Sequence, residues 1–207
     1  MLQTRTVEPG TLGLLKNLMS LPELDHYYLV GGTALALQLG HRISVDLDMF
    51  TQQPIDKTGL LDTLQSSFEV LIETEGANML ITNINGIKVD FVKMSYPVLF
   101  PPIIEEGVRM LKVRDIAPMK LKPVTQRGSK KDFYDIYYLL ESLSLAEMLN
   151  LFSQKFKQNE VFHVIKSLSY FEDAENYPDP LVFDKTVSWS KVKSTIRNAV
   201  KLLTTDQ

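Results

Sequence analysis

Asp46 and Asp48 are separated by a single residue in Val45-Asp46-Leu47-Asp48-Met49-Phe50. On a strand, residues two apart project from one face, so the two carboxylates stand together with Cα atoms roughly 6.5–7 Å apart. Like charges at that spacing repel, and burying them unpaired costs about several kcal/mol. A divalent cation resolves the conflict. Magnesium takes one or two carboxylates and completes its octahedron with phosphate oxygens and water. Two such ions about 3.5–4 Å apart can hold the attacking and leaving oxygens of an in-line displacement. An Asp-x-Asp triplet alone is common on solvent-facing strand edges, and Asp90 makes the stronger case. In Ile87-Lys88-Val89-Asp90-Phe91-Val92, alternation places Asp90 on the face opposite Val89 and Phe91. If that strand neighbours the first, a third carboxylate joins the pair, as a metal ligand or as base for an incoming hydroxyl.

Gly31-Gly32 stands between Tyr27-Tyr28-Leu29-Val30, an apolar run of strand type, and Thr33-Ala-Leu-Ala-Leu-Gln-Leu, a run of helix formers that stops at Gly40. Glycine permits a tight turn and lets a ligand approach the backbone closely. The free amides and dipole of the helix start favour a phosphate at that point. Thr33 and Ser44 offer hydroxyls nearby, and Arg42 is a candidate contact to nucleotide or acceptor.

These residues need a scaffold of alternating strands and helices. Val45–Phe50 reads as a strand with Val45, Leu47 and Met49 on the face away from the acids. A helix is predicted over 56–66, then strands over 68–73, 79–83 and 87–94. Asn85-Gly86 joins the last two, because a type I′ turn needs two residues that tolerate positive φ. Tyr96–Pro102, with three prolines, marks a boundary. Beyond it the pattern predicts helices near 103–110, 115–126, 130–142, 145–157, 160–169 and 189–203, the last with Ser188 as N-cap. Phe133, Tyr134, Tyr137 and Tyr138 recur at helical spacing and read as packed core.

The 207 residues suffice for one large domain or two small ones, and the hydrophobic and charged fractions are those of an ordinary globular chain. No apolar run reaches the ~18 residues of a membrane span, and the first residues lack the apolar core of a signal peptide. With no cysteine, thiolate metal sites and disulfides are excluded. The expectation is a bacterial-type cytoplasmic protein with no membrane partner. A net charge of −3 argues against nonspecific coating of nucleic acid. The charge is uneven, however: Lys120, Lys122, Arg127, Lys130 and Lys131 fall within twelve residues, and Arg109, Lys112 and Arg114 precede them.

The segment GGTALALQLGHRISVDLDMF (31–50) resembles the glycine-to-Asp-x-Asp signature of the nucleotidyltransferase superfamily, and in detail its AbiEii/AbiGii-type toxin branch. DIAPMKLKPVTQRGSKKDFYDIYYLLE (115–141) is similar to that family's second block: a Lys, six residues, an Arg, then a basic-Asp helix start. YFEDAENYPDP (170–180) and the helix at Trp189 resemble its C-terminal pattern, so the likeness spans nearly the whole chain. It implies an α+β fold: a nucleotidyltransferase-like mixed or antiparallel sheet with flanking helices over 1–100, then a helical bundle over 101–207 that completes the active-site cleft.

By the same resemblance, Gly31, Gly32 and Thr33 contact the triphosphate and Ser44 lies near the γ-phosphate. Asp46 and Asp48 bind one or two Mg²⁺ ions, for which Mn²⁺ can substitute; Asp90 joins them on strand geometry alone. Lys120 and Arg127 form the basic pair. Seven residues apart, they share a helix face and can clamp phosphate charge, although Pro123 lies between them and removes a helical hydrogen bond. Asp132 or Asp135 supplies the later carboxylate, and spacing alone does not choose between them.

The implied activity is transfer of a nucleoside monophosphate from NTP to an acceptor hydroxyl on tRNA, another RNA or a protein, restrained by a cognate antitoxin. The basic stretch 109–131 is where an acidic acceptor is expected. The competing readings are nucleotidylation of a small molecule of aminoglycoside type and a non-catalytic nucleotide-binding module.

Overall fold

Period-two alternation and three left-handed turns set the sheet of the N-terminal half. The computed structural model describes residues 1–126 and 128–205, with the backbone alone for 204 and 205. The chain divides into two compact units, Met1–Lys112 and Val113–Gln207.

In the first unit, α1 (Pro9–Met19) begins on a proline, whose missing N–H costs nothing in the first turn. The strand β1 (Tyr28–Val30) then runs directly into α2 (Gly31–Leu39), which ends on Gly40 in the left-handed region at φ 71°. Next come β2 (Leu47–Thr51) and α3 (Lys57–Ser67), the latter capped by the Asp56 carboxylate accepting from the Gly59 amide at 3.2 Å. The remaining strands are β3 (Val70–Gly76), β4 (Met79–Ile84), β5 (Ile87–Lys93), β6 (Ile103–Glu105) and β7 (Val108–Met110). The described residues form a mixed seven-stranded sheet in the order β3-β4-β5-β2-β1-β7-β6. The pairs β2/β5 and β1/β7 are parallel, and the other four are antiparallel.

Asn85 (φ 53°) and Gly86 (φ 84°) make the tight turn between β4 and β5, as their types predict. Two expectations need correction. Residues 103–110 form a hairpin, not a helix, because Glu106 (φ 50°) and Gly107 (φ 82°) reverse the chain and Met110 then pairs with Leu29 of β1. That pairing keeps the hairpin with the sheet, so the first unit extends past the proline-rich stretch to Lys112. The second strand also starts later than Val45. Residues 43–46 are irregular and Val45 is half exposed, so Asp46 stands just before β2 while Asp48 lies within it. Leu47, Met49, Val89 and Phe91 are fully buried, which leaves Asp48 and Asp90 on the more open face.

The second unit consists of α4 (Val113–Val124), α5 (Lys130–Leu139), α6 (Leu145–Phe156), α7 (Phe162–Leu168), α8 (Glu172–Glu175) and α9 (Trp189–Thr205). Ser188 caps α9, its hydroxyl accepting from the Lys191 amide at 3.2 Å. Phe133, Tyr134 and Tyr137 are buried, and Tyr134 stacks on Trp189 with ring centroids 5.9 Å apart, so the aromatic run is core. Within this core Lys155 of α6 and Asp115 of α4 are both fully buried and joined at 2.7 Å.

Candidate active site

The acidic face is assembled by strand register. Val30, the last residue of β1, pairs with Asp48 of β2, and Asp48 pairs on its other side with Asp90 of β5. The chain leaves β1 at Gly31, which takes the left-handed region at φ 67° and lies so close to Asp48 that a Cβ there would overlap its carboxylate. Only glycine combines that backbone with that approach. Gly32 is as tightly placed: a Cβ on it would stand 2.5 Å from Nη2 of Arg42 and 3.2 Å from Oγ of Ser44.

Arg42 is therefore brought against the glycine turn. It is buried, with Nη1 donating to the Ile43 carbonyl at 2.9 Å. Thr33 Oγ1 hydrogen-bonds Ser44 Oγ at 2.9 Å and also the backbone carbonyl of Asp46. The two hydroxyls thus tie the first turn of α2 to the residue that carries the first carboxylate. No side chain caps the N-terminus of α2, so its first amides and dipole are directed at whatever occupies the turn.

Lys88 precedes Asp90 by two residues on β5 and reaches its Oδ2 at 2.9 Å. Burial pulls the Lys88 ammonium down, but the hydrogen bond to Asp90 and the charges of Asp90, Asp46 and Asp48 outweigh it and leave its pKa raised. Burial, aided by the Asp48 charge, pushes the Tyr96 hydroxyl up to about 12. One ammonium and one phenol thus lie in the field of the acidic face.

Among the described residues, no three His, Cys, Asp or Glu side chains converge as a preformed metal cage. The donor set still suits a hard divalent cation, because magnesium keeps waters, takes substrate oxygens and needs only one or two protein carboxylates. Asp90 Oδ1 is buried with no hydrogen-bond partner among the described residues, an acceptor that a cation would satisfy.

The sequence also singles out residues of the helical unit, and these form a polar centre of their own. Lys120 of α4 lies 2.7 Å from Asp135 and 3.9 Å from Asp132, both on α5 and both buried. Ser129 Oγ donates to Asp132 at 2.6 Å. Asp135 is thus the direct partner of Lys120, with Asp132 held by Ser129. Because α4 ends at Val124, Lys120 has no helix face running on to residue 127; Arg127 lies outside the described residues.

The basic stretch is largely engaged within each unit. Arg109 donates to the carbonyls of Met19 and Leu24 at 2.9 and 2.8 Å. Arg114 pairs with Glu147, Lys130 pairs with Asp179, and Lys122 lies over the Phe156 ring. As a continuous surface for an acidic acceptor, the stretch 109–131 is weaker than its composition suggests.

The profile of the family described as Nucleotidyl transferase AbiEii toxin, Type IV TA system, matches residues 13–202. The chain belongs to that family. Its activity class is nucleotidyl transfer. A curated relative, an uncharacterized protein of Aquifex aeolicus (strain VF5), is 34% identical over 193 residues, spanning 90% of this chain and 92% of its own. Among solved structures, MenT4, a nucleotidyltransferase toxin from Mycobacterium tuberculosis, matches with a TM-score of 0.60 at 14% identity over 98% of this chain and 88% of its own. JHP933 from Helicobacter pylori matches with a TM-score of 0.50 at 19% identity over 97% and 96%. At those identities the structures establish a shared fold.

In this AbiEii-family chain two residues of the acidic face escape a motif search. Lys88 had a usable signal, since alternation from Asp90 places it on the same face. Tyr96 had none, because it follows β5 in an irregular proline-containing segment.

Proposed function

We propose that this chain transfers a nucleoside monophosphate from an NTP to an acceptor hydroxyl with release of pyrophosphate, and that Asp46, Asp48 and Asp90 hold the Mg²⁺ the reaction uses. The observation that carries this reading is the register of Asp48 on Asp90 beside the left-handed Gly31 turn. Bound Mg²⁺, or Mn²⁺ in its place, neutralises triphosphate charge and orients the reacting oxygens.

The remaining work falls to the chain. The first-turn amides of α2 bind phosphate oxygens, and Gly31 and Gly32 let them come close. Arg42, packed at Gly32, adds positive charge at the same turn. Thr33 and Ser44 fix the backbone of Asp46 and so aim its carboxylate. Asp90 is placed to accept the proton of the incoming hydroxyl at Oδ1, its unpartnered oxygen.

Membership of a toxin family supports a cognate antitoxin as partner. RNA, tRNA above all, is the acceptor to be tested first. The experiment is incubation of the full chain with each labelled NTP, Mg²⁺ and total RNA plus cell protein. Label is expected in the RNA pool for the wild type and in no pool for a folded Asp46→Ala variant. Label in protein would reassign the acceptor, and retained activity in Asp46→Ala would remove the central claim.

A further inference from the structure

The mechanism above leaves one charged residue of the acidic face without a task. Lys88 sits on the same strand face as Asp90, its Nζ 2.9 Å from Asp90 Oδ2 and its side chain 41% exposed, whereas Asp90 is 18% exposed. Asp90 is in turn the register partner of Asp48, with Asp46 two residues before it. A single ammonium therefore serves a group of three carboxylates, and its pKa registers the charge of all three. Three negative charges against one positive leave the face short of cation. The carboxylate oxygen that Lys88 holds is nonetheless one that a divalent ion would need.

The charge of Lys88 acts on both states of the site. Without metal, it relieves repulsion between carboxylates that the sheet register forces together. With metal, the same ammonium stands beside a doubly charged ion, and the two cations repel. An exposed four-carbon stem can carry Nζ away from Asp90 at little steric cost, which a buried arginine fork could not do.

We propose that Lys88 is a resident counter-ion of the acidic face, which a divalent cation must displace from Asp90 and which thereby lowers the affinity of the protein for that cation. The proposal rests on the reading of Asp46, Asp48 and Asp90 as the metal-binding group. It assigns Lys88 a role in setting metal occupancy, separate from any step of the transfer reaction.

The test is titration of the full-length protein with Mn²⁺, following free Mn²⁺ by electron paramagnetic resonance with no nucleotide present. Wild type, Lys88→Met and Lys88→Arg are compared, with Lys88→Gln as the neutral form should the methionine variant fail to fold. Repulsion between a unit and a double charge about 5 Å apart in a water-like dielectric corresponds to about tenfold in affinity. The neutral variant is therefore expected to bind Mn²⁺ about tenfold more tightly than wild type, while Lys88→Arg keeps the wild-type affinity. Unchanged or weaker binding by the neutral variant, with wild type binding normally, would overturn this inference and leave the metal centre standing. Absence of binding in every form up to millimolar Mn²⁺ would overturn the metal-centre reading and this inference with it.

Discussion

Asp48 of β2 and Asp90 of β5 are direct partners across a parallel strand pair, so the sheet itself holds two carboxylates together. Like charges placed directly opposite one another on a sheet destabilise it by roughly 0.2–1 kcal/mol. Asp48→Asn removes one of them at constant shape. Stability in EDTA, measured by urea unfolding, is expected to stay level or rise by up to about 1 kcal/mol. Nucleotide transfer is expected to fall at least about a thousandfold, the scale of losing a preorganised charge-stabilising group. A variant that loses both stability and activity would mark Asp48 as a structural residue.

The two glycines should respond differently to alanine. At Gly31 the left-handed backbone costs an L-residue about 1–2 kcal/mol, and the added methyl overlaps the Asp48 carboxylate. Gly31→Ala is expected to lose at least that much stability together with activity. At Gly32 the methyl meets the far end of the Arg42 side chain, which can move, and alanine favours the helix by roughly 0.5–1 kcal/mol. Gly32→Ala should stay within about 1 kcal/mol of wild type while weakening NTP binding through the displaced guanidinium. Thermal unfolding and NTP binding isotherms separate the cases, and equal damage at both positions would contradict the geometry.

The parts of this site that could be read from the chain are those set by local chemistry. The Gly31-Gly32 turn, the Asn85-Gly86 hairpin and the alternation that aligns Asp90 each follow from a few adjacent residues. The parts that could not be read depend on distant partners. Residues 103–110 form strands because Met110 finds Leu29, and Glu106 is an unusual residue for a left-handed turn. Asp46 falls outside β2 because residues 43–46 answer to contacts such as the Ser44 amide on the Thr6 carbonyl, not to alternation. Basic composition suggested a docking surface at 109–131, yet Arg109 is committed to backbone carbonyls eighty to ninety residues earlier.

Two buried lysines carry the polar interior of the helical unit. Lys155 is fully buried on Asp115, and Lys120 is nearly so between Asp132 and Asp135. Removing one member of such a pair strands the other charge and costs about 3–5 kcal/mol. Lys155→Met and Lys120→Met should each lower the urea midpoint by that order. The double change Asp115→Leu with Lys155→Met should recover most of the loss, since a buried pair replaced by apolar residues is often neutral. A double variant no better than Lys155→Met alone would show that the pair contributes more than mutual neutralisation.

Tyr96 reports on Asp48 through its titration. Its hydroxyl is held up at about 12 by burial and by the Asp48 charge, above the ordinary 10 of an unfolded tyrosine. The folded state therefore retains a proton that the unfolded state has lost between those values, so stability falls as pH rises through that interval. The contribution is complete below pH ~10 and gone once the pH has passed the folded value. Tyr96→Phe should flatten the alkaline fall in urea stability relative to wild type, with the shared lysine background cancelling in the comparison. Asp48→Asn leaves the burial but removes the charge, so the late phenol should ionise earlier in the ultraviolet absorbance titration. A titration curve indifferent to Asp48→Asn would place Tyr96 outside the field of the acidic face and remove it from the site.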